Sequence, residues 1–393
     1  MKILHINTNA TGGAANACIR LHKALLKSGI DSNILFLEKT KGIDKSYSFL
    51  DFEEKKNGRF LTSIKILINR ISNKLPSLFK PAAFFNTPFS LFDITEHPVF
   101  IEADVIHLHW AVKFVDYQKV FSVKNKKFVW TMHDMAPFSG GYHYLTDFPI
   151  ENYKSLILKY ENAKIKALKE VNLSVIALSD WLKNISMNSR VFHYFKHNLI
   201  PNCIDTAIFN NYERSNAKLK LGLKQNKTVL FVAENINDKR KGFDYLKGAI
   251  DYLDKDTVLL VLGKSFENDS NLNIINLGYV SDENHIATIY NAADVFVIPS
   301  LEDNLPNTVM EAMACGTPSV GFANGGIPEM VQNGLTGIVV KEISAEALAV
   351  GIKQVLDNTE AINFEENCRK RAIQLYSEDI IREKILGLYH TKS

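Results

Sequence analysis

Cysteine is scarce in this sequence: Cys18, Cys203, Cys315 and Cys368 are all there is in 393 residues, and no two form a CxxC pair. That excludes a disulfide scaffold and leaves buried, reduced thiols as the reading. Long apolar runs are missing too. No stretch approaches the roughly 18 consecutive apolar residues of a membrane span. The start, Met1-Lys-Ile-Leu-His-Ile-Asn7, is too short and too interrupted for a secretory leader. Neither sign of charge dominates, with 46 Lys and Arg against 43 Asp and Glu, so no nucleic-acid partner is expected for the whole chain. These absences predict a cytoplasmic protein that at most rests on the inner face of a membrane.

What is present is alternation. Short apolar runs are separated by longer stretches of helical periodicity, which is the pattern of an α/β protein with parallel sheets and crossover helices. The first series of strands is Ile3–Ile6, Val105–Leu108, Phe128–Thr131 and Val175–Leu178. The second is Val229–Val232, Val258–Val261, Val295–Ile298 and Ser319–Phe322. Between them Ile200-Pro-Asn-Cys-Ile-Asp205 reads as a turn or linker. The chain length suits two cores, so the sequence predicts two Rossmann-like domains over 1–199 and 200–375. A terminal helix over 376–393 has Ser377 as its N-cap and an apolar stripe at Ile381, Ile385 and Leu388.

Residues 55–80 stand apart. Lys55, Lys56, Arg59, Lys65, Arg70, Lys74 and Lys80 fall here with no acidic residue, and Leu61, Ile64, Ile68, Ile71 and Leu75 recur at helical spacing. Two readings stand side by side: a basic amphipathic helix on an anionic membrane surface, and a surface helix with a solvated basic face.

The most informative stretch is 289–331. A strand at Val295–Ile298 leads through a polar loop to a helix from Thr308 to Ala314, with Asn307 or Thr308 as N-cap and Gly316 as the glycine after its end. Such a helix aims its first amides beyond the strand's carboxyl end, where anionic ligands bind in open α/β sheets. Asp303 in the loop and Glu311 on the helix place two carboxylates beside that anion site, and acceptance of hydrogen bonds from sugar hydroxyls accounts for them.

Glu311-Ala-Met-Ala-Cys-Gly-Thr-Pro318, preceded at eight residues by Asp303, closely resembles the donor signature of the retaining glycosyltransferases of family 4, whose first acid is usually Glu. The resemblance runs through nearly the whole chain. It implies the GT-B fold: two Rossmann-like domains facing a central cleft, with the C-terminal helix crossing back to the first. It implies that Glu311 holds the donor ribose and that Asp303 faces the donor sugar, with Glu302 and Asn304 beside it. It leaves the amides of Asn307 and Thr308 for a phosphate. Gly12-Gly13-Ala14-Ala15 resembles the family's N-terminal glycine turn, which puts Gly13 against the donor. Asp238-Lys-Arg-Lys-Gly-Phe243 is similar to its basic turn. Lys241 matches the family lysine, and Arg240 stands in for an arginine that the family has where this chain has Ile236. Trp130-Thr-Met-His-Asp134 resembles its His-Asp motif, so His133 is the candidate at the reacting carbon, with Asp303 as its counterpart. Phe138–Tyr144 reads either as an acceptor-pocket lining or as a packed loop.

The expected reaction moves a sugar from a nucleoside diphosphate sugar to a hydroxyl of a growing polysaccharide or lipid-linked glycan, with retention and without a metal or cofactor. Cations and amides stabilise the leaving diphosphate. A zinc site built on His107 and His109, with His133 or His143, has no third ligand of defined spacing. The DxD at Asp254–Asp256 reads as a solvated turn. A sugar-nucleotide 2-epimerase of the same fold and a degenerate sugar-nucleotide-binding protein remain as alternatives, since fold alone never fixes activity.

Overall fold

The computed structural model describes residues 1–78, 85–146, 148–223, 226–264, 273–358 and 362–391, with 75–78 described by backbone alone, and every count below is of the described residues. The chain divides into two compact units, Met1–Pro201 with Arg382–Ser393, and Asn202–Ile381.

The first unit is built on a seven-stranded parallel sheet. Its strands are β1 (Lys2–Ile6), β2 (Asp31–Phe36), β3 (Ser46–Ser48), β4 (Val105–Leu108), β5 (Lys127–Met132), β6 (Leu173–Ala177) and β7 (Lys196–Leu199). They lie in the order β3-β2-β1-β4-β5-β6-β7. The central strands are covered on both faces, so they are apolar nearly throughout: Ile3, Leu4, Ile6, Ile106 and Leu108 are fully buried. The interruptions are His5 and His107, paired across β1 and β4 and equally buried.

The second unit has a six-stranded parallel sheet: β8 (Thr228–Asn235), β9 (Val258–Lys264), β10 (Ile274–Gly278), β11 (Val295–Ile298), β12 (Ser319–Phe322) and β13 (Gly337–Val340), in the order β10-β9-β8-β11-β12-β13. Its core gathers Val229, Phe231, Leu259, Val261, Val295, Val297 and Val320. All four cysteines are buried free thiols.

The terminal helix Glu378–His390 buries Ile381, Ile385 and Tyr389, whereas Leu388 is only half-buried. The stripe therefore ends on Tyr389, one residue later than the sequence predicted. The Tyr389 hydroxyl bonds His107 at 2.6 Å, and Lys127 Nζ donates to the Leu388 carbonyl at 2.6 Å.

The basic stretch is not one helix. Phe49–Asn57 ends at Gly58, whose φ of +79° breaks the pattern before Arg59–Leu78 begins. Of the stretch's residues, the Leu75 side chain and all of Lys80 lie outside the described set. The longer helix docks by a largely polar side, with Ile66 packed on the core beside it. Thr62, Asn69 and Asn73 are buried, and Asn69 Nδ2 donates to the Lys113 carbonyl at 2.8 Å. Its apolar side faces out: Phe60 is 77% exposed, Leu67 59% and Leu61 54%, with Ile68 and Ile71 exposed beside them. Among the described residues no helix is long and apolar enough to cross a membrane.

Candidate functional site

The second sheet reverses its strand sequence between β8 and β11. Such a switch point opens a crevice at the carboxyl ends of the strands, where ligands bind. The chain leaving β8 enters the 3-10 turn Lys239–Lys241. The chain leaving β11 runs through 299–306 into the helix Asn307–Ala314. Both ends of this crevice thus carry a segment singled out by the sequence.

The two segments are stitched together. Asp238 caps the turn by accepting from the Arg240 amide at 3.1 Å, and the Leu301 amide donates to the Arg240 carbonyl at 2.8 Å. Gly242 closes the turn at φ +69°, and a Cβ there would sit 1.9 Å from the Pro299 carbonyl oxygen. Only glycine satisfies both conditions.

Charges of both signs meet as a result. Lys241 Nζ lies 2.6 Å from Asp303 Oδ2. Arg240 Nη1 donates to the Glu302 carbonyl at 2.7 Å and lies 3.8 Å from Asp303 Oδ2, while Ser300 Oγ donates to the same carboxylate oxygen at 3.3 Å. Burial acts to raise the Asp303 pKa, but the Lys241 and Arg240 cations outweigh it, and the carboxyl is held below its usual value. Behind the loop, the Gly326 amide donates to the Asp303 carbonyl at 2.9 Å. Gly325, at φ +60°, approaches so closely that a Cβ would fall 1.9 Å from that oxygen. The Gly-Gly turn after β12 therefore exists to let the backbone close on Asp303.

The helix begins one residue earlier than predicted. Pro306 occupies the N-cap and supplies no side-chain cap. Asn307 is the first helical residue because its Oδ1 accepts from Asn202 Nδ2 at 3.0 Å instead of folding back on the helix. The expectation that Asn307 or Thr308 caps the helix is corrected accordingly. Their amides lie in the first turn, where N–H groups have no intrahelical acceptor. Glu311, buried on the same helix, accepts from the Tyr290 hydroxyl at 3.0 Å. Glu302 and Asn304 are buried in the preceding loop. Ile236 is buried in the core of the unit, so Arg240 is the guanidinium that this site holds.

The second unit thus brings Arg240, Lys241, Glu302, Asp303, Asn304, Asn307, Thr308 and Glu311 to its switch point. Gly13 and His133 belong to the first unit. That sheet reverses between β1 and β4. Gly13 opens the helix Gly13–Lys27 behind Gly12, which takes φ +97° and gives no side-chain cap. His133 follows β5, half-buried, with its Nε2 3.2 Å from His109 Nδ1. Burial pulls its pKa down to about 4, so the ring is neutral at ordinary pH.

One ring nitrogen from each of His5, His107 and His109 lies within 4.8 Å of the other two. Both nitrogens of His107 are engaged, by Tyr389 and by Thr131 Oγ1 at 2.7 Å, and both of His109 by His5 and His133. His143 is held elsewhere, on Asp134 at 2.6 Å and on Asn86. Asp134 also accepts from Trp110 Nε1 and the Ala136 amide, so it anchors the loop that follows His133. The Asp254 of the DxD accepts from Lys227 Nζ at 3.0 Å in an exposed turn before β9.

Sequence reasoning passed over Tyr290, Ser300 and Lys164. Tyr290 lies 21 positions before Glu311, a separation with no local signal. Ser300 comes two residues after the end of β11, where a hydroxyl is a legible clue. Lys164 sits on the helix Ile150–Leu168 and donates to the Ala136 and Ser139 carbonyls at 2.5 and 2.7 Å. Burial brings its pKa down to about 7.

Two doubly wound parallel sheets are the architecture of the GT-B fold. Residues 226–358 match the family described as glycosyl transferases group 1. The chain is similar to the N-acetyl-alpha-D-glucosaminyl L-malate synthase of Bacillus anthracis, at 24% identity over 49% of this chain and 52% of that protein. The alignment therefore spans about half the length of this curated relative. It is also similar to the N,N'-diacetylbacillosaminyl-diphospho-undecaprenol alpha-1,3-N-acetylgalactosaminyltransferase of Campylobacter jejuni, at 31% identity over 37% of this chain and 40% of that one. The crystal structure of Anabaena HepE in complex with UDP and glucose superposes with a TM-score of 0.67, at 16% identity and over 100% of both chains.

Proposed function

We propose that this protein transfers a sugar from a nucleoside diphosphate sugar to a hydroxyl acceptor, with retention of configuration and without a metal ion. The observation that carries the reading is the Lys241–Asp303 pair, 2.6 Å apart beside Arg240 at the switch point of the second sheet. A bare phosphate site has no use for a buried carboxylate. A donor that presents phosphate oxygens to cations and sugar hydroxyls to carboxylates uses both.

In this reading Arg240, Lys241 and the first-turn amides of Asn307 and Thr308 take the diphosphate and stabilise the charge that develops as it leaves. These fixed cations do the work that a divalent metal does in other transferases. Glu311 takes the ribose hydroxyls, and Asp303, with Glu302 and Asn304, takes the sugar. In the first unit, the family resemblance assigns Gly13 to the donor and His133 to the reacting carbon. The UDP and glucose of the Anabaena structure make uridine the first base to test.

The acceptor we propose is lipid-linked. The outward apolar side of Arg59–Leu78, flanked by Arg59, Lys65, Arg70 and Lys74 with no acidic residue on the helix, suits an anionic membrane surface. The undecaprenol-linked substrate in the Campylobacter relative's name supports the same class.

The test is transfer of labelled sugar from UDP-, GDP- and ADP-sugars to a polyprenyl-diphosphate glycan, with and without EDTA. Label in the organic phase, undiminished by EDTA, is the expected result. Epimerised donor with no label transferred would replace this reading with the epimerase. Donor binding without either product would replace it with a degenerate binder.

A further inference from the structure

Three imidazoles form a file through the first unit. His5 on β1 is fully buried, and its Nδ1 lies 3.1 Å from His109 Nε2. His109, just past β4 and also buried, turns its Nδ1 to His133 Nε2 at 3.2 Å. His107 packs beside the file, its ring centroid 4.3 Å from that of His109, but spends both nitrogens on hydroxyls and does not join it. The far nitrogen of His5, Nε2, is buried without a hydrogen-bond partner among the described residues.

A neutral imidazole has one N–H and one lone pair, so a file of them is directional. If the hydrogens ran from His133 toward His5, the file would end in an N–H on His5 Nε2 with nothing to accept it. If they run from His5 toward His133, the file begins with an unused lone pair. A buried N–H left with no acceptor is rare in proteins, so the second direction, which leaves none on His5, is selected. His5 Nδ1–H then donates to His109 Nε2, and His109 Nδ1–H donates to His133 Nε2. Burial lowers the pKa of all three, which keeps each ring neutral as the file requires.

We infer that His109 is a positioning residue that fixes His133 as the tautomer with its hydrogen on Nδ1. The chemical consequence is specific. The Nε2 lone pair of His133 is occupied by His109 and cannot serve as a general base, and His133 presents a neutral N–H donor from Nδ1. Its use on a sugar or leaving-group oxygen rests on the transferase reading above; the tautomer itself does not.

The test uses the full chain labelled with 15N-histidine. Its one- and two-bond 1H–15N correlations distinguish the two tautomers, and His133 is assigned by its loss in His133→Gln. The expected spectrum shows His133 protonated on Nδ1. In His109→Phe the His133 signal redistributes between tautomers, and kcat falls roughly 5- to 10-fold with the donor KM unchanged, the worth of about one oriented hydrogen bond. His109→Gln, whose amide donates and accepts on the same two sides, restores both the signal and most of the rate. A wild-type His133 protonated on Nε2, or a signal unmoved in His109→Phe, overturns the assignment. A moved signal with unchanged kcat overturns its role in turnover. If His109→Phe does not fold, His5→Phe cuts the file one link earlier and must redistribute His133 in the same way. The expected spectrum in a protein that transfers no sugar would support the file and reject only the transferase reading.

Discussion

Replacing Glu311 by Ala and by Gln in turn separates binding from folding in the second unit. The carboxylate is buried and accepts from the Tyr290 hydroxyl at 3.0 Å. In the proposed complex it also accepts from two ribose hydroxyls. Hydrogen bonds to a charged group contribute about 1.5 to 3 kcal/mol each. Two at the low end amount to about 3 kcal/mol, or roughly 150-fold in the Kd of the nucleoside diphosphate. Glu311→Ala removes these and the Tyr290 bond together, so it also lowers stability by about 1 kcal/mol. Glu311→Gln keeps a carbonyl for Tyr290 but loses the charge and one acceptor oxygen, so it weakens binding by roughly 10-fold at nearly unchanged stability. Calorimetric titration gives the affinities and urea unfolding gives the stabilities. A folded Glu311→Ala protein that binds the nucleotide as tightly as wild type would refute the assignment of this helix to the donor.

Gly325→Ala forces a left-handed conformation on a side chain, at about 1 to 2 kcal/mol, and drives its Cβ against the Asp303 carbonyl. Lower stability in urea together with weaker donor binding is expected, and unchanged binding would detach Asp303 from the site. Leu67→Glu with Ile68→Glu places charge on the exposed apolar side of Arg59–Leu78. Co-sedimentation with phosphatidylglycerol vesicles should fall while transfer to a water-soluble acceptor persists, and equal sedimentation would remove the membrane from the account. Burial holds His107 near a pKa of about 3 against an ordinary 6.5. The unfolded chain takes up a proton that the folded one refuses, so this histidine's contribution is present above pH 6.5. It is lost as pH falls toward 3, at about 1.4 kcal/mol per pH unit. Denaturant unfolding at stepped pH should show a shallower slope for His107→Gln, and an unchanged slope would mean that His107 is not the group titrating.

The strands legible in the sequence are the ones covered on both faces. Val295–Ile298 is apolar throughout, and Ile3–Ile6 is apolar but for His5, because both faces are covered. Among the strands that were passed over, Asp31–Phe36 carries a buried run at Ile34, Leu35 and Phe36, and the others are short or partly solvated. Ser46–Ser48 and Lys196–Leu199 contain no apolar run, and Ile274–Gly278 is at an edge and largely accessible. Only pairing to a neighbour makes them strands. The site was legible where one local segment carries it, as in 303–318 and 238–243. Contacts that depend on the fold were not: Tyr290 to Glu311, the Gly325 approach to Asp303, and the file from His5 through His109 to His133. The basic stretch at 55–80 shows the limit of periodicity most plainly. Its apolar stripe was readable, but its direction was not, because the docking side is mostly polar, with Thr62, Asn69 and Asn73 buried beside Ile66, and hydrophobic periodicity points the other way.

The central claim is that the switch point of the second unit holds a nucleoside diphosphate by fixed cations and amides. The most direct measurement is thermal stability with UDP, GDP, ADP and CMP added singly, with and without EDTA. A ligand at about a hundred times its Kd adds roughly 2.7 kcal/mol. The account predicts a rise with one nucleoside diphosphate, undiminished by EDTA and absent in Lys241→Ala. No rise with any of them, or a rise that EDTA abolishes, would contradict it.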